Sequence, residues 1–300
     1  DMNIAKANNN REVDTVHHNR AALPSGWDDE GQRLYATAKK ELVENLILGD
    51  ANATNTHRVS PLGPVNTTGD NDWWKDNLGY LGDRGDGKRV DKPWEPQTFV
   101  NFFTHLSPSS VNYYVGFGTW IGPTLFYAAQ LVDGGAFGME ADPVAFAKVE
   151  TNLALNRNAD WARRVHVNPH AVGLGSDADD STPERLSMRS SMPGNSCSGL
   201  TDAIAKCRGK AKEEHVCWMV NSFSLPYLLK RWGIPNNNEL FVKVDTEGFE
   251  CGLIPSWLPW ISTLSKPKPT FQVAVHRQIV KCDDDQYNAL CRFGKMFDFR

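Results

Sequence analysis

From about residue 98 onward the sequence alternates short β-favouring runs with helical stretches, and this alternation constrains the fold more than any other feature. The predicted strands are Val111 to Val115, Ala136 to Met139, Arg164 to Val167, Val216 to Val220, Leu240 to Val244 and Thr270 to Val275. Between them, helices are predicted over Pro123 to Val132, Pro143 to Leu155 and Leu225 to Trp232, with another near Asp284 to Arg292. Phe146, Val149 and Leu153 recur at helical spacing in the second of these, and Gly134 and Gly135 stop the first. Parallel strands need crossover connections, so such an order implies an α/β fold whose mostly parallel sheet is covered by helices on both faces. A long, less regular insert is expected from Gly173 to about Glu214.

The first 97 residues have a different character. Residues 1–26 are polar and without periodicity, and read as an extended arm. A helix is predicted from about Asp28 to Leu48, where Leu34, Ala38, Leu42, Leu46 and Ile47 repeat at helical spacing. Asp50 to Pro96 is rich in Asn, Asp, Gly and Pro and is expected to be irregular, with Trp73, Trp74 and Trp94 pinning it to the core. The chain thus divides into 1–97, an arm, helix and loop, and 98–300, the strand–helix domain. The arm is a candidate surface for a protein partner.

Several function classes are excluded. No run approaches eighteen apolar residues, so no membrane span is expected. A net charge of -4 argues against a nucleic-acid footprint, and the basic run Lys206 to Lys212 reads as a solvated loop. The six cysteines show neither Cys-x-x-Cys nor zinc spacing, so no metal site is expected. An even cysteine count is compatible with disulfides, which slightly favours an endomembrane lumen, secretion or an organelle over the cytoplasm. The two glycosylation patterns, at Asn52 and Asn66, are what chance produces in so Asn-rich a chain.

Three segments carry chemistry. Gly116-Phe117-Gly118-Thr119-Trp120-Ile121-Gly122 joins a strand to a helix, where glycines permit a tight turn and the helix start offers free N–H groups. Its spacing is Gly-x-Gly-x-x-x-Gly; Ile121 stands where a dinucleotide fingerprint needs its third glycine, which disfavours a nicotinamide dehydrogenase. Glu140 ends the second strand, where a carboxylate can accept both hydroxyls of a ribose. Phe241 to Val244 reads as a buried strand whose end carries Asp245 and Glu247, placed to orient a nucleophile, take its proton or hold a divalent cation. The alternative for these two acids is a helix N-cap and first-turn residue.

Taken together, these segments resemble the FkbM-type methyltransferases over roughly residues 98–298. The match runs through Val115 to Gly122, Met139-Glu140-Ala141-Asp142-Pro143, Asn152-Leu153-Ala154-Leu155-Asn156, Val167 to Gly173, and Val242-Lys243-Val244-Asp245-Thr246-Glu247-Gly248-Phe249-Glu250. The resemblance implies a Rossmann-like class I methyltransferase fold and S-adenosylmethionine (SAM) as methyl donor to a hydroxyl, on a small molecule or glycan. By the same resemblance, Gly116, Gly118 and Gly122 line the methionine and ribose portion and Glu140 holds the ribose. Thr119, Asp142 and His170 complete the cofactor set. Asp245 and Glu247 face the acceptor, and His276, ending the last strand, is a further candidate base.

The chain departs from that family at Gly116, where an aspartate is usual, and at Thr119-Trp120, where a small residue and asparagine are common. These departures motivate a second reading, a methyltransferase-like fold serving as a scaffold or assembly subunit. Methyltransferase sheets normally add a last antiparallel hairpin, so the final strand is expected either to remain an edge or to be paired from elsewhere.

Overall fold

The structure, a computed structural model, describes residues 26–47, 54–58, 64–68, 95–106, 112–194, 199–201, 215–237, 239–275 and 282–296. The expectations for the arm, for Trp73, Trp74 and Trp94, for the run 206–212 and for His276 fall outside these residues. In chain order the elements begin with α1 (Asp29–Ile47), β1 (Thr54–Arg58), β2 (Pro64–Thr68), α2 (Pro96–His105), β3 (Tyr113–Phe117) and α3 (Pro123–Ala129). They continue with β4 (Gly135–Met139), α4 (Pro143–Leu155), a 3-10 turn (Asp160–Arg164), β5 (Val165–Asn168), β6 (Ala171–Gly173), β7 (Glu184–Ser190) and β8 (Gly199–Thr201). The last are β9 (Val216–Ser224), α5 (Leu225–Trp232), β10 (Leu240–Val244), α6 (Glu250–Thr263), β11 (Thr270–Val273) and α7 (Asp284–Met296).

Five strands form an all-parallel sheet in the order β11-β10-β3-β4-β5. The chain starts at β3, steps outward through β4 and β5, then returns to the other side of β3 with β10 and β11. The boundary between β3 and β10 is therefore the topological switch point, where the carboxyl ends of two strands part and ligands sit in open α/β sheets. Side chains alternate between two cores. Tyr114, Ala136 and Phe241 face one, filled by α1 to α4. Val115, Phe117, Phe137, Met139, Val242 and Val244 face the other, filled by α5 to α7. The fold is α/β and Rossmann-like, with helices on both faces.

Several features differ from the sequence expectation, among them a second sheet and a hairpin. The insert and Val216 to Ser224 build a second sheet, order β6-β9-β7-β8, in which β7 runs antiparallel to both β8 and β9. The physical reason lies in β9, where buried and half-buried residues alternate, as on a strand packed through one face; β10 is buried throughout. Part of the expected irregular loop is an antiparallel hairpin, β1–β2. With little apolar alternation of its own, it docks by polar bonds: Asn156 receives the Asn66 N–H at 2.8 Å and donates to the Asn66 carbonyl at 2.7 Å, while Asn152 receives the Thr68 N–H at 2.9 Å.

The N-terminal elements share the sheet's core. Trp27, Tyr35, Phe99 and Phe102 are buried with α3 and α4, and α2 spans the 97/98 boundary. Trp27 and Trp218 both donate from their indoles to the Ala141 carbonyl, at 2.9 and 3.0 Å, fixing the loop that follows β4. A disulfide joins Cys251 of α6 to Cys282 ahead of α7, and Cys217 is also disulfide-bonded. Among the described residues no helix is long and apolar enough to cross a membrane.

Candidate functional site

The glycine turn is tied to both neighbouring strands. Gly118 and Thr119 donate their N–H groups to the Met139 carbonyl of β4, at 3.1 and 3.2 Å, and Asp245 donates to the Phe117 carbonyl at 3.1 Å. Gly118, Thr119, Glu140 and Asp245 therefore meet at the carboxyl edge of β4, β3 and β10. Each glycine is demanded by protein atoms. At Gly118, φ is +75° and a Cβ would stand 1.8 Å from the Asp245 carbonyl oxygen. A Cβ at Gly122 would meet Phe126 at 2.6 Å and Val149 at 2.9 Å, and one at Gly116 would stand 2.9 Å from the Tyr114 hydroxyl. The room that an aspartate would need at 116 is taken by that phenol.

Glu140 is 7% exposed and turned toward the glycine turn. Its Oε2 accepts the Trp120 backbone N–H at 2.6 Å and its Oε1 accepts that of Asp142 at 2.8 Å. Burial, reinforced by neighbouring Asp142, pushes its carboxyl up to about 8 despite these bonds. Trp120 occupies a left-handed corner at φ +49°, and its indole donates to the Gly194 carbonyl at 3.0 Å. Asp142 caps α4, accepting from Val144 and Ala145 at 2.8 and 3.1 Å, while its other oxygen accepts from Gly194 at 2.8 Å. His170 follows β5, edge-on to Phe223 at 5.2 Å, and burial lowers it to about 4.

On the other side of β3, Asp245 is ion-paired with Lys243, and Lys243 also lies 3.3 Å from Glu95 at the start of α2. Burial pulls the Lys243 ammonium down, but Asp245, then Glu95, raise it above its ordinary range. Glu95 is itself raised, chiefly by burial, against the pull of Lys243. Glu247 lies in the next loop at φ +51°. That loop is closed by Glu250, fully buried, whose carboxylate accepts from the Thr246 N–H at 2.7 Å, the Thr246 hydroxyl at 3.1 Å and the Gly248 N–H at 2.9 Å. Glu250 had no role in the sequence reading, although it ends the quoted motif. Lys243 had a visible signal, a cation inside an apolar strand that requires a partner. Glu95 had none, because its partner is distant in sequence.

No protein-family model matches the chain, and no curated protein matches it. Among solved structures it is similar to the crystal structure of methyltransferase FkbM from Methylobacillus flagellatus KT, with 15% identity and a TM-score of 0.37. The likeness covers 60% of this chain and 37% of that one, so the chain spans little more than a third of that structure's length. The Rossmann-like assignment stands on the strand order and parallel register alone. Among the described residues no group of acidic, histidine and cysteine side chains is placed to hold a metal.

Chemically, the edge offers a carboxylate aimed at the turn from β3 into α3 and, across β3, a second carboxylate held by a buried cation. The first can accept hydroxyl groups; the second can orient a nucleophile and take up a proton.

Proposed function

We propose that the chain is a SAM-dependent methyltransferase acting on a hydroxyl, with a glycan or other carbohydrate as the acceptor class. The observation that carries this reading is the orientation of Glu140, buried at the switch-point edge with its carboxylate on the glycine turn. Its oxygens accept backbone N–H groups from Trp120 and Asp142, with Ala141 adding a third, and a carboxylate's four acceptor positions leave room for a ribose hydroxyl. The donor-set chemistry therefore fits a nucleoside. Bound SAM supplies a methyl that is already electrophilic, which leaves the protein to align donor and acceptor. On this reading Asp245, beyond the turn, orients the acceptor hydroxyl and receives its proton; its ion pair with Lys243, which holds the carboxylate, supports the assignment. The two disulfide-bonded sites, Cys251–Cys282 and Cys217, support an oxidising compartment.

One observation favours the scaffold reading: the Trp120 indole is bound to Gly194, so the corner beside Glu140 is tied down by the protein itself. Isothermal titration with SAM and with its demethylated product, S-adenosylhomocysteine (SAH), separates the two. Saturable heat with either ligand, lost in Glu140→Ala, is expected; absence of heat for both leaves the scaffold reading standing.

A further inference from the structure

Lys243 is a cation inside the sheet, 3% exposed, and its register partner on β3 is Gly116, which has no side chain to balance it. Two carboxylates do so instead. Asp245 comes from the end of the same strand, while Glu95 arrives from the start of α2 with Oε2 3.3 Å from the ammonium. Glu95 holds φ 43° and ψ 50°, a left-handed conformation that non-glycine residues rarely adopt. An N-cap carboxylate ordinarily accepts N–H groups of the first helical turn, and Glu95 makes no such bond. Its Oε2 instead accepts the Thr98 hydroxyl at 2.8 Å, and Thr98 accepts from Gln272 of β11 at 2.5 Å. A chain of polar groups thus runs from the edge strand to Lys243. With both carboxylates ionised, Lys243, Asp245 and Glu95 together carry a net charge of -1, a state that burial and the neighbouring Asp245 shift to higher pH at Glu95. Both carboxylates keep some exposure, 25% at Glu95 and 12% at Asp245, so this charge sits at the mouth of the edge.

We propose that Glu95 is a positioning residue of the site: it holds Lys243 together with Asp245 and, once ionised, makes this group of described residues at the switch-point mouth net anionic, so that a cationic nucleoside is preferred over a neutral one. The preference rests on the SAM reading given above; the pairing of Glu95 with Lys243 does not, and the test separates them. The first measurement is thermal stability in a double-mutant cycle. Glu95→Gln lowers the Tm of the otherwise native chain. In a Lys243→Met background, where Glu95 and Asp245 face each other without a cation, Glu95→Gln raises the Tm. Should Lys243→Met not fold, an Asp245→Asn background serves: among the described residues Glu95 is then the carboxylate facing Lys243, and Glu95→Gln costs more Tm than in the native chain. An equal loss in every background overturns the pairing and reduces Glu95 to a helix-end residue. The second measurement is the affinity ratio of SAM to SAH, followed from neutral to alkaline pH so that Glu95 is ionised, a ratio that a merely structural role would not move. Glu95→Gln lowers this ratio roughly three- to tenfold with SAH binding retained; an unchanged ratio overturns the electrostatic role. If the native chain binds neither nucleoside, the cationic preference falls with the functional reading, while the stability cycle still decides the pairing.

Discussion

The Trp120 backbone N–H donates to Glu140 Oε2 at 2.6 Å, so the carboxylate that ends β4 also holds the left-handed corner of the glycine turn in place. Glu140→Gln keeps shape but replaces one oxygen by an NH2 group, which sets a donor against either the Trp120 or the Asp142 N–H. Leaving one buried N–H without an acceptor costs about 1–3 kcal/mol. A lower urea midpoint at unchanged m-value is the expected result, and an unaltered midpoint would contradict the two bonds.

Stability should depend on pH in a window set by two groups. Glu140, raised from 4.5 to about 8, stabilises the fold fully below 4.5 and loses that contribution as pH rises through 8. His170, lowered from 6.5 to about 4, acts in the opposite direction, its contribution being present above 6.5 and lost as pH falls through 4. The two slopes oppose each other below 6.5 and separate above it. Between 6.5 and 8 the Tm is therefore expected to fall with pH, and Glu140→Gln should flatten that fall. On the proposed reading, ribose hydroxyls donating to Glu140 would favour its charged form, and nucleoside affinity is then expected to rise with pH over the same interval. Titrations at several pH values check both signs.

Much of this was legible in the sequence, and the misses have physical causes. The helices from Pro143 to Leu155 and from Leu225 to Trp232 and the strand from Leu240 to Val244 coincide with α4, α5 and β10, because each combines a clear start with a buried period. Helix α6 was missed because Pro255 and Pro259 lie inside it, each removing a backbone donor that a helix normally uses. Burial of Leu253, Ile254, Trp257 and Ile261 offsets that loss, and propensity reads no such tertiary gain. The hairpin was missed because its anchors are asparagines on α4, and the pairing of Asn66 with Asn156 leaves no periodic trace. Within the site, the glycine turn and Glu140 were readable from spacing; the acid at position 95 was not, since nothing local marks a carboxylate whose cation lies on another strand.

Gly118→Ala tests how tightly the turn is packed. Its new methyl would stand 1.8 Å from the Asp245 carbonyl oxygen, a backbone atom that cannot swing aside, at a φ of +75°. The expected loss is about 2 kcal/mol or more, from strain and from forcing β3 and β10 apart at their carboxyl ends. Unfolding by denaturant measures it, and a loss below about 0.5 kcal/mol would show that the two strand ends are not held together.

Glu250→Ala should loosen the loop that carries Asp245 and Glu247. The fully buried carboxylate satisfies two backbone N–H groups and a hydroxyl within four residues, and alanine leaves all three unpaired. On the usual cost of unsatisfied buried groups the variant loses about 3 kcal/mol. Amide exchange at Thr246 and Gly248 should quicken in Glu250→Ala, and exchange there at the native rate would mean that other groups hold the loop.

Trp120→Phe distinguishes a ring that merely fills space from one that fastens a segment. Gly194 is gripped twice: its carbonyl accepts from the Trp120 indole at 3.0 Å and its N–H donates to Asp142 at 2.8 Å. Phenylalanine keeps an aromatic ring at the corner of the turn and deletes the first bond, worth about 1 kcal/mol, so amide exchange of Met192 and Gly194 should accelerate roughly fivefold. If residues 190–194 cover the edge where the nucleoside is proposed to bind, the same variant takes up SAM faster, because opening precedes entry. Faster exchange with an unchanged association rate would place the segment beside the ligand path, and exchange that does not change at all would mean that Asp142 alone holds Gly194 in place.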